Sequence, residues 1–235
     1  MRRSSDHPKG EHVLYGALRQ TAAILARTLC RPTIEGRENV PATGSVILAS
    51  NHLSFVDSVV IPLSVPQRRV RFLAKSDYFE TPGVKGRLTK TMFGALGAMP
   101  VRRGSSRDAM VALETMLDRL NEGEACVVYP EGTRSRDGRL YRGRTGVAHL
   151  ALESKSLVVP VGISGTQKVQ PVGAGVPRPH PFTVRFGEPL DFSTGFDHLT
   201  PAKARRAITD RVMDAIHELT GQERADTYND HGSAD

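Results

Sequence analysis

The 235-residue sequence has only two cysteines, Cys30 and Cys126, and only 6% aromatic residues. Two thiols cannot build a disulfide framework, so a reducing, cytosolic setting is the default expectation. Few aromatic rings leave few platforms for stacking bases, and no nucleic-acid module is recognisable, so nucleic acid is not expected as a partner. No stretch approaches the ~20 apolar residues of a membrane-spanning helix. The first ten residues, MRRSSDHPKG, are polar and no apolar h-region follows, so no signal peptide is expected. There is no Walker-type loop, and GALGAM around Gly94–Met99 does not match the dinucleotide fingerprint. The histidines follow no metal-ligand spacing, so no metal is expected.

What is present suits one domain of generous size. Hydrophobic residues are 39% of the chain and charged residues 24%, enough apolar matter for a packed core. Lysine and arginine number 32 against 25 acidic residues, for a net charge of +7. Such a surface favours anionic partners: phosphates, acidic lipid headgroups or acidic carrier proteins.

Short apolar runs alternate with helical patterns. Ser45–Ser50, Val70–Lys75, Ala98–Val101, Ala125–Tyr129, Leu157–Ile163 and Phe182–Phe186 read as strands. Pro160 inside the fifth of these suggests an edge strand or a bulge. Helical patterns cover 57–62, 83–97, Arg107–Asn121, Thr145–Ser154 and Pro201–Leu219. In Arg107–Asn121 the residues Met110, Leu113, Leu117 and Leu120 recur at helical spacing, with Gly123 near the stop. The expected fold class is α/β, a mostly parallel sheet flanked by helices. Before it, Leu14, Leu18, Ala22, Leu25 and Leu29 mark one face of an N-terminal amphipathic helix, which either packs on the core or lies on a membrane surface. The expected organisation is a tail and helix over 1–32, one domain over 33–219 and a polar, disordered tail over 220–235.

In parallel sheets the site lies at the C-terminal ends of strands. Two polar motifs stand there. Asn51-His52-Leu53-Ser54-Phe55-Val56-Asp57 follows the first strand, and Tyr129-Pro130-Glu131-Gly132-Thr133-Arg134-Ser135 follows the fourth. His52 and Asp57 can meet if the chain turns between them, and a carboxylate on one ring nitrogen leaves the other as a base. The plainer alternative is a hydrogen-bonded turn with Asp57 capping the next helix. In the second motif a rigid proline precedes a flexible glycine, and backbone N–H groups with Arg134 suit an anion. Lys75 and the pair Arg102 and Arg103 end strands at the same sheet edge. A further basic run, Arg136, Arg139, Arg142 and Arg144, reads as a solvated loop. Cys126, inside an apolar strand, reads as an inert core thiol.

Four blocks in order, NHLSFVD, GAMPVRR, YPEGTRS and VVPVGISG, resemble those of the glycerophospholipid acyltransferase family, whose bacterial type member is 1-acyl-sn-glycerol-3-phosphate acyltransferase. The resemblance runs from about Thr33 to Leu190. It implies a general base at His52, oriented by Asp57. It implies acceptor-phosphate contacts from Lys75, Arg103, Glu131, Gly132, Thr133 and Arg134. Arg102 stands where an acidic residue often precedes the family arginine. The implied reaction moves a fatty acyl group from acyl-coenzyme A or acyl carrier protein to the 2-hydroxyl of a lysophosphatidic acid, giving phosphatidic acid, with no cofactor or metal. The implied setting is an anionic membrane surface on the cytoplasmic face. Two other readings stay open: an enzyme for another lysophospholipid or glycolipid acceptor, with the loops at 136–144 and 168–181 deciding it, and a non-catalytic basic lipid-binding protein.

Overall fold

Continuous apolar runs become the middle of a sheet, because only a strand covered on both faces can carry them. In the computed structural model, which describes residues 28–80, 83–102 and 104–229, SVILAS forms β2 (Val46–Ser50), buried at every position. Its neighbours are β5 (Ala125–Val128) and β7 (Leu157–Ser164), both parallel to it. The full order is β1-β8-β7-β2-β5-β3-β4, with β1 (Thr33–Glu35), β3 (Val70–Lys75), β4 (Ala98–Val101) and β8 (Thr183–Phe186). All pairings are parallel except β7 with β8. The expected α/β class with a mostly parallel sheet is therefore what the chain forms.

Helices cover both faces. On one face α1 (Asp57–Ser64), α2 (Asp77–Glu80) and α3 (Gly83–Ala95) accompany a core of Leu48, Phe72, Val127 and Val161 with Ile61 and Phe93. On the other, α4 (Ser106–Asn121), α5 (Gly146–Ser154) and α7 (Pro201–Thr220) enclose Ile47, Cys126 and Val158 with Met116, Leu120, Leu150, Ile208 and Ile216. Each such side chain removed from water contributes about 1.5–3 kcal/mol. The start of α4 is set by a capping box in which Ser105 and Asp108 exchange side-chain and backbone hydrogen bonds. A one-turn helix, α6 (Thr166–Val169), follows β7. Burial pushes the Cys126 thiol up to about 12, consistent with an unreactive core thiol.

One expectation narrows and one changes. Of the edge and the bulge that Pro160 suggested, the chain forms the bulge: strand β7 lies inside the sheet, and its residues 159 and 160 stand opposite 187–189. Pro160 is tolerated because its ring nitrogen faces β8 where the ladder breaks. Val158 N–H donates to Leu190 O, two residues on β7 before Pro160, while regular pairing with β8 begins only at Val161. The neighbour at the break is Gly187, where a Cβ would stand 2.9 Å from the Pro160 ring. The polar tail assigned to 220–235 is ordered through Asn229. Its residues form β9 (Arg224–Ala225), which pairs in parallel with β6 (Leu140–Tyr141), and Asn229 is buried. Hydrophobic patterning missed this segment because it is held by polar contacts. The N-terminal helix expected within 11–31 falls almost wholly outside the described residues. No helix among the described residues is long and apolar enough to cross a membrane.

Candidate active site

Parallel pairing of β2 with β5 brings both polar motifs to the same sheet edge. After β2 the chain turns through Asn51–Val56 into α1, and Asp57 is the first helical residue, where the helix dipole favours negative charge. Its Oδ2 accepts three hydrogen bonds: from Leu53 N–H at 2.7 Å, from Ser54 N–H at 2.8 Å and from His52 Nδ1 at 2.9 Å. Both side chains are sheltered, Asp57 completely and His52 to all but 10%. The carboxylate therefore has two effects. It folds the loop on itself, and it places the imidazole proton on Nδ1, leaving Nε2 with a lone pair.

The second motif holds His52 from outside. His52 N–H donates to Glu131 Oε1 at 3.0 Å, and His52 O accepts Ser135 N–H at 2.7 Å. The Tyr129 ring stacks on the imidazole with centroids 3.8 Å apart and planes 11° apart, and its hydroxyl lies 3.0 Å from Ser58 Oγ. Asn51 binds the end of β7 twice, through Ile163 O at 2.9 Å and Ile163 N–H at 2.8 Å. The dyad is thus fixed by the second motif loop and by β7, not by its own loop alone.

Glu131 does not face an acceptor. It is fully buried, and both oxygens are taken by backbone, Oε1 by His52 N–H and Oε2 by Tyr141 N–H at 2.9 Å. The family resemblance implies a substrate contact for Glu131; in the fold its carboxylate ties the histidine loop to the strand after the second motif. Burial outweighs those two donors and raises its pKa to about 7. The folded chain therefore keeps a proton that the unfolded chain has lost between about pH 4.5 and 7. This contribution to stability is present below that window and is lost as pH rises through about 7. Glu131→Gln should abolish this part of the pH dependence of the unfolding midpoint. It should also cost about 1–3 kcal/mol, because one backbone N–H would meet an amide N–H instead of an acceptor. Thermal unfolding of both proteins from pH 5 to 8 checks this, and an unchanged slope in the variant would refute it.

The remaining candidates divide. Gly132 has φ +83°, so the motif needs glycine for its conformation, and the Arg144 side chain passes close over it, with Nε 3.0 Å from where a Cβ would stand. Thr133 lines a cavity of about 470 Å³ against α4 and α5. The cavity wall is mainly apolar, with Leu73, Leu113, Met116, Val127 and Leu150, and includes Tyr129, the ring that stacks on His52. Exposed Arg102 and Arg144 place its polar end at the surface. Arg134 is half-buried in the same loop, and its carbonyl accepts Asn229 Nδ2 at 3.1 Å. Lys75 shares the face of Leu73, but its ammonium pairs with Asp77 at 2.8 Å and it is not among the residues lining the cavity. Arg103 lies outside the described residues. Among the described residues no cluster of three His, Cys, Asp or Glu side chains could hold a metal ion.

The acyltransferase family model matches residues 31–164, more than half of the chain and the whole span from β1 to the end of β7. The chain belongs to the acyltransferase family. It is 31% identical over 154 residues to the chloroplastic 1-acyl-sn-glycerol-3-phosphate acyltransferase of Arabidopsis thaliana, covering 65% of this chain and 41% of that one. It is 26% identical over 187 residues to the 1-acyl-sn-glycerol-3-phosphate acyltransferase of Bacillus subtilis, covering 79% of this chain and 86% of that one. The crystal structure of the 1-acyl-sn-glycerophosphate acyltransferase of Thermotoga maritima superposes with a TM-score of 0.67 at 25% identity, over 92% of this chain and 83% of that one. The chain spans about half the length of the plant and algal relatives it matches.

Within this acyltransferase domain, sequence reading missed Asn51, Tyr129 as a ring against His52, and the C-terminal segment. For Asn51 a signal existed, a polar amide directly after a fully apolar strand. For the C-terminal segment there was none. Gln222 Oε1 accepts Asn51 Nδ2 at 2.8 Å, and Gln222 Nε2 donates to Gly138 O at 2.7 Å, contacts that no local pattern announces.

Proposed function

We propose that this acyltransferase moves an acyl group from an acyl thioester to the 2-hydroxyl of 1-acyl-sn-glycerol 3-phosphate. The observation that carries the reading is the sheltered His52–Asp57 pair, Nδ1 to Oδ2 at 2.9 Å, since a carboxylate partner favours the proton on Nδ1. The names of the Arabidopsis, Bacillus and Thermotoga relatives support the choice of acceptor. In this reading His52 Nε2 takes the proton of the hydroxyl as its oxygen attacks the thioester carbon. The carbonyl becomes an oxyanion, the C–S bond breaks, and the imidazolium returns the proton to the departing thiolate. The thioester supplies the driving force, so the step needs neither metal nor cofactor. Asp57 stabilises the transient imidazolium and holds the ring in its productive tautomer.

Arg134, and Arg103 by resemblance, hold the acceptor phosphate, as guanidinium forks suit phosphate oxygens. The cavity of about 470 Å³ is within the range of ligand pockets, ~300–1,000 Å³, and its apolar wall suits a fatty acyl chain. Either acyl-coenzyme A or acyl carrier protein fits as the donor, and the net charge of +7 favours both, as well as an anionic membrane surface.

The test is thiol release from a long-chain acyl-coenzyme A with and without 1-acylglycerol 3-phosphate, beside a His52→Ala control. Acceptor-dependent release that the control lacks is the expected result. Release without acceptor would make the chain a thioesterase and overturn the reading.

A further inference from the structure

The chain beyond residues 31–164, the span that the family model matches, returns to both motif loops. Gly221 ends α7 in the left-handed region, with φ +64°, and turns the chain back. The next residue bridges two loops. Gln222 Oε1 accepts Asn51 Nδ2 at 2.8 Å, beside the base, and Gln222 Nε2 donates to Gly138 O at 2.7 Å, just after the second motif. Main-chain contacts follow. Leu140 N–H donates to Glu223 O at 2.8 Å, β9 pairs with β6, and Arg142 N–H donates to Thr227 O at 3.0 Å. At the far end Asn229 Nδ2 donates to Arg134 O at 3.1 Å, inside the second motif.

Asn229 is only 2% exposed, and an amide is buried without loss only where hydrogen bonds offset its lost water. The Asn51 amide is likewise fully used. Its Oδ1 accepts Ile163 N–H, and its two Nδ2 protons go to Ile163 O and Gln222 Oε1. The C-terminal segment therefore adds a second tie between the loops, alongside Glu131, and it reaches the Arg134 position directly. The gap between the loops matters because one acceptor molecule must meet both. With its phosphate on Arg134, its hydroxyl reaches His52 Nε2 only if the two loops stand at the right separation.

We propose that the segment 221–229 sets the separation of the base loop and the phosphate loop, with Gln222 and Asn229 as positioning residues for the acceptor. Each acts through the loop that it holds and not by touching substrate. The inference rests on the acyl-transfer reading, in which Arg134 holds the acceptor phosphate. It makes a stretch outside the matched family residues part of the acceptor site. Gln222 and Asn229 are not among the residues lining the cavity assigned to the acyl chain, so binding of the thioester donor is independent of them.

The test uses the full chain with Gln222→Ala, Asn229→Ala and Asn229→Ser, the last a shorter polar side chain. KM and kcat are measured separately for 1-acylglycerol 3-phosphate and for palmitoyl-coenzyme A. Calorimetric binding of 1-acylglycerol 3-phosphate is measured beside them, with unfolding midpoints to confirm folding. Misplacing a substrate-holding group by ~1 Å can cost ~10²-fold, and a loosened loop should show part of that. The KM and Kd of 1-acylglycerol 3-phosphate should rise about fivefold or more, with the KM of palmitoyl-coenzyme A within about twofold of wild type. A merely structural role would lower the unfolding midpoint and leave the acceptor constants of the folded variants unchanged, and that result would overturn the inference. Equal increases for donor and acceptor would overturn it too, since the loss would then be general. If Asn229→Ala does not fold, Asn229→Ser and Gln222→Ala decide. A wild-type chain that binds 1-acylglycerol 3-phosphate but transfers no acyl group would instead overturn the acyl-transfer reading, and the binding arm would still judge the segment.

Discussion

His52→Ala is expected to lower acyl transfer by about 10²–10⁴-fold in kcat/KM and to cost about 1–3 kcal/mol of stability. The loss follows from removing the only nitrogen that the Asp57 carboxylate prepares as a base. The stability cost stays moderate because of how His52 is anchored. Its N–H to Glu131 and its carbonyl from Ser135 belong to the backbone and survive the substitution. What disappears includes the side-chain hydrogen bond to Asp57 and the stack on Tyr129. Steady-state kinetics with matched unfolding curves check both halves. A variant retaining more than about a tenth of wild-type kcat/KM would remove His52 from the chemistry, since general-base catalysis is worth at least ~10²-fold.

Asp57→Asn is expected to lower kcat by a similar factor, about 10²–10⁴-fold, and to destabilise the protein as well. The asparagine oxygen still accepts, but no charge remains to hold the proton on Nδ1 or to stabilise the imidazolium. The same oxygen receives Leu53 N–H and Ser54 N–H, so the loop weakens too. Three charge-assisted hydrogen bonds becoming neutral ones cost on the order of 3 kcal/mol. In a chain of this size that lowers Tm by about 6–12 °C. The two variants together are the informative result: both lose activity, and Asp57→Asn also weakens the backbone hydrogen bonds that fold the loop. An Asp57→Asn protein with wild-type Tm would mean that the three bonds are not charge-assisted, and one with wild-type kcat would mean that His52 needs no carboxylate.

The strands and helices that sequence located are those whose signal is local. Val70–Lys75 and Ala98–Val101 coincide with β3 and β4, and Arg107–Asn121 misses α4 by one residue. Each is a run of apolar residues with a period set by its own backbone. Strands β1, β6 and β9 escaped notice because they have only three, two and two residues and owe their pairing to distant neighbours. Pro160 left edge and bulge open for a related reason. Its rule is about a missing N–H, and whether that N–H would have had a partner depends on where β8 breaks its ladder. Glu131 shows the same limit at the site. The family resemblance implies a substrate contact for it, and only the folded chain shows the two backbone donors that bind its oxygens.

By itself the sequence determined the α/β class, the membership its four blocks imply, and the pairing of His52 with Asp57, which needs only a turn of five residues. Tertiary structure decided what surrounds that pair. Asn51 meets Ile163 across 112 residues of chain, Glu131 meets His52 across 79, and Gln222 meets Asn51 across 171. Such polar contacts leave no periodic trace, because one side chain at each end suffices and any spacing between them is allowed. The folded sheet edge chooses which ends meet, and here it brings a polar C-terminal segment back over the loop that holds the base.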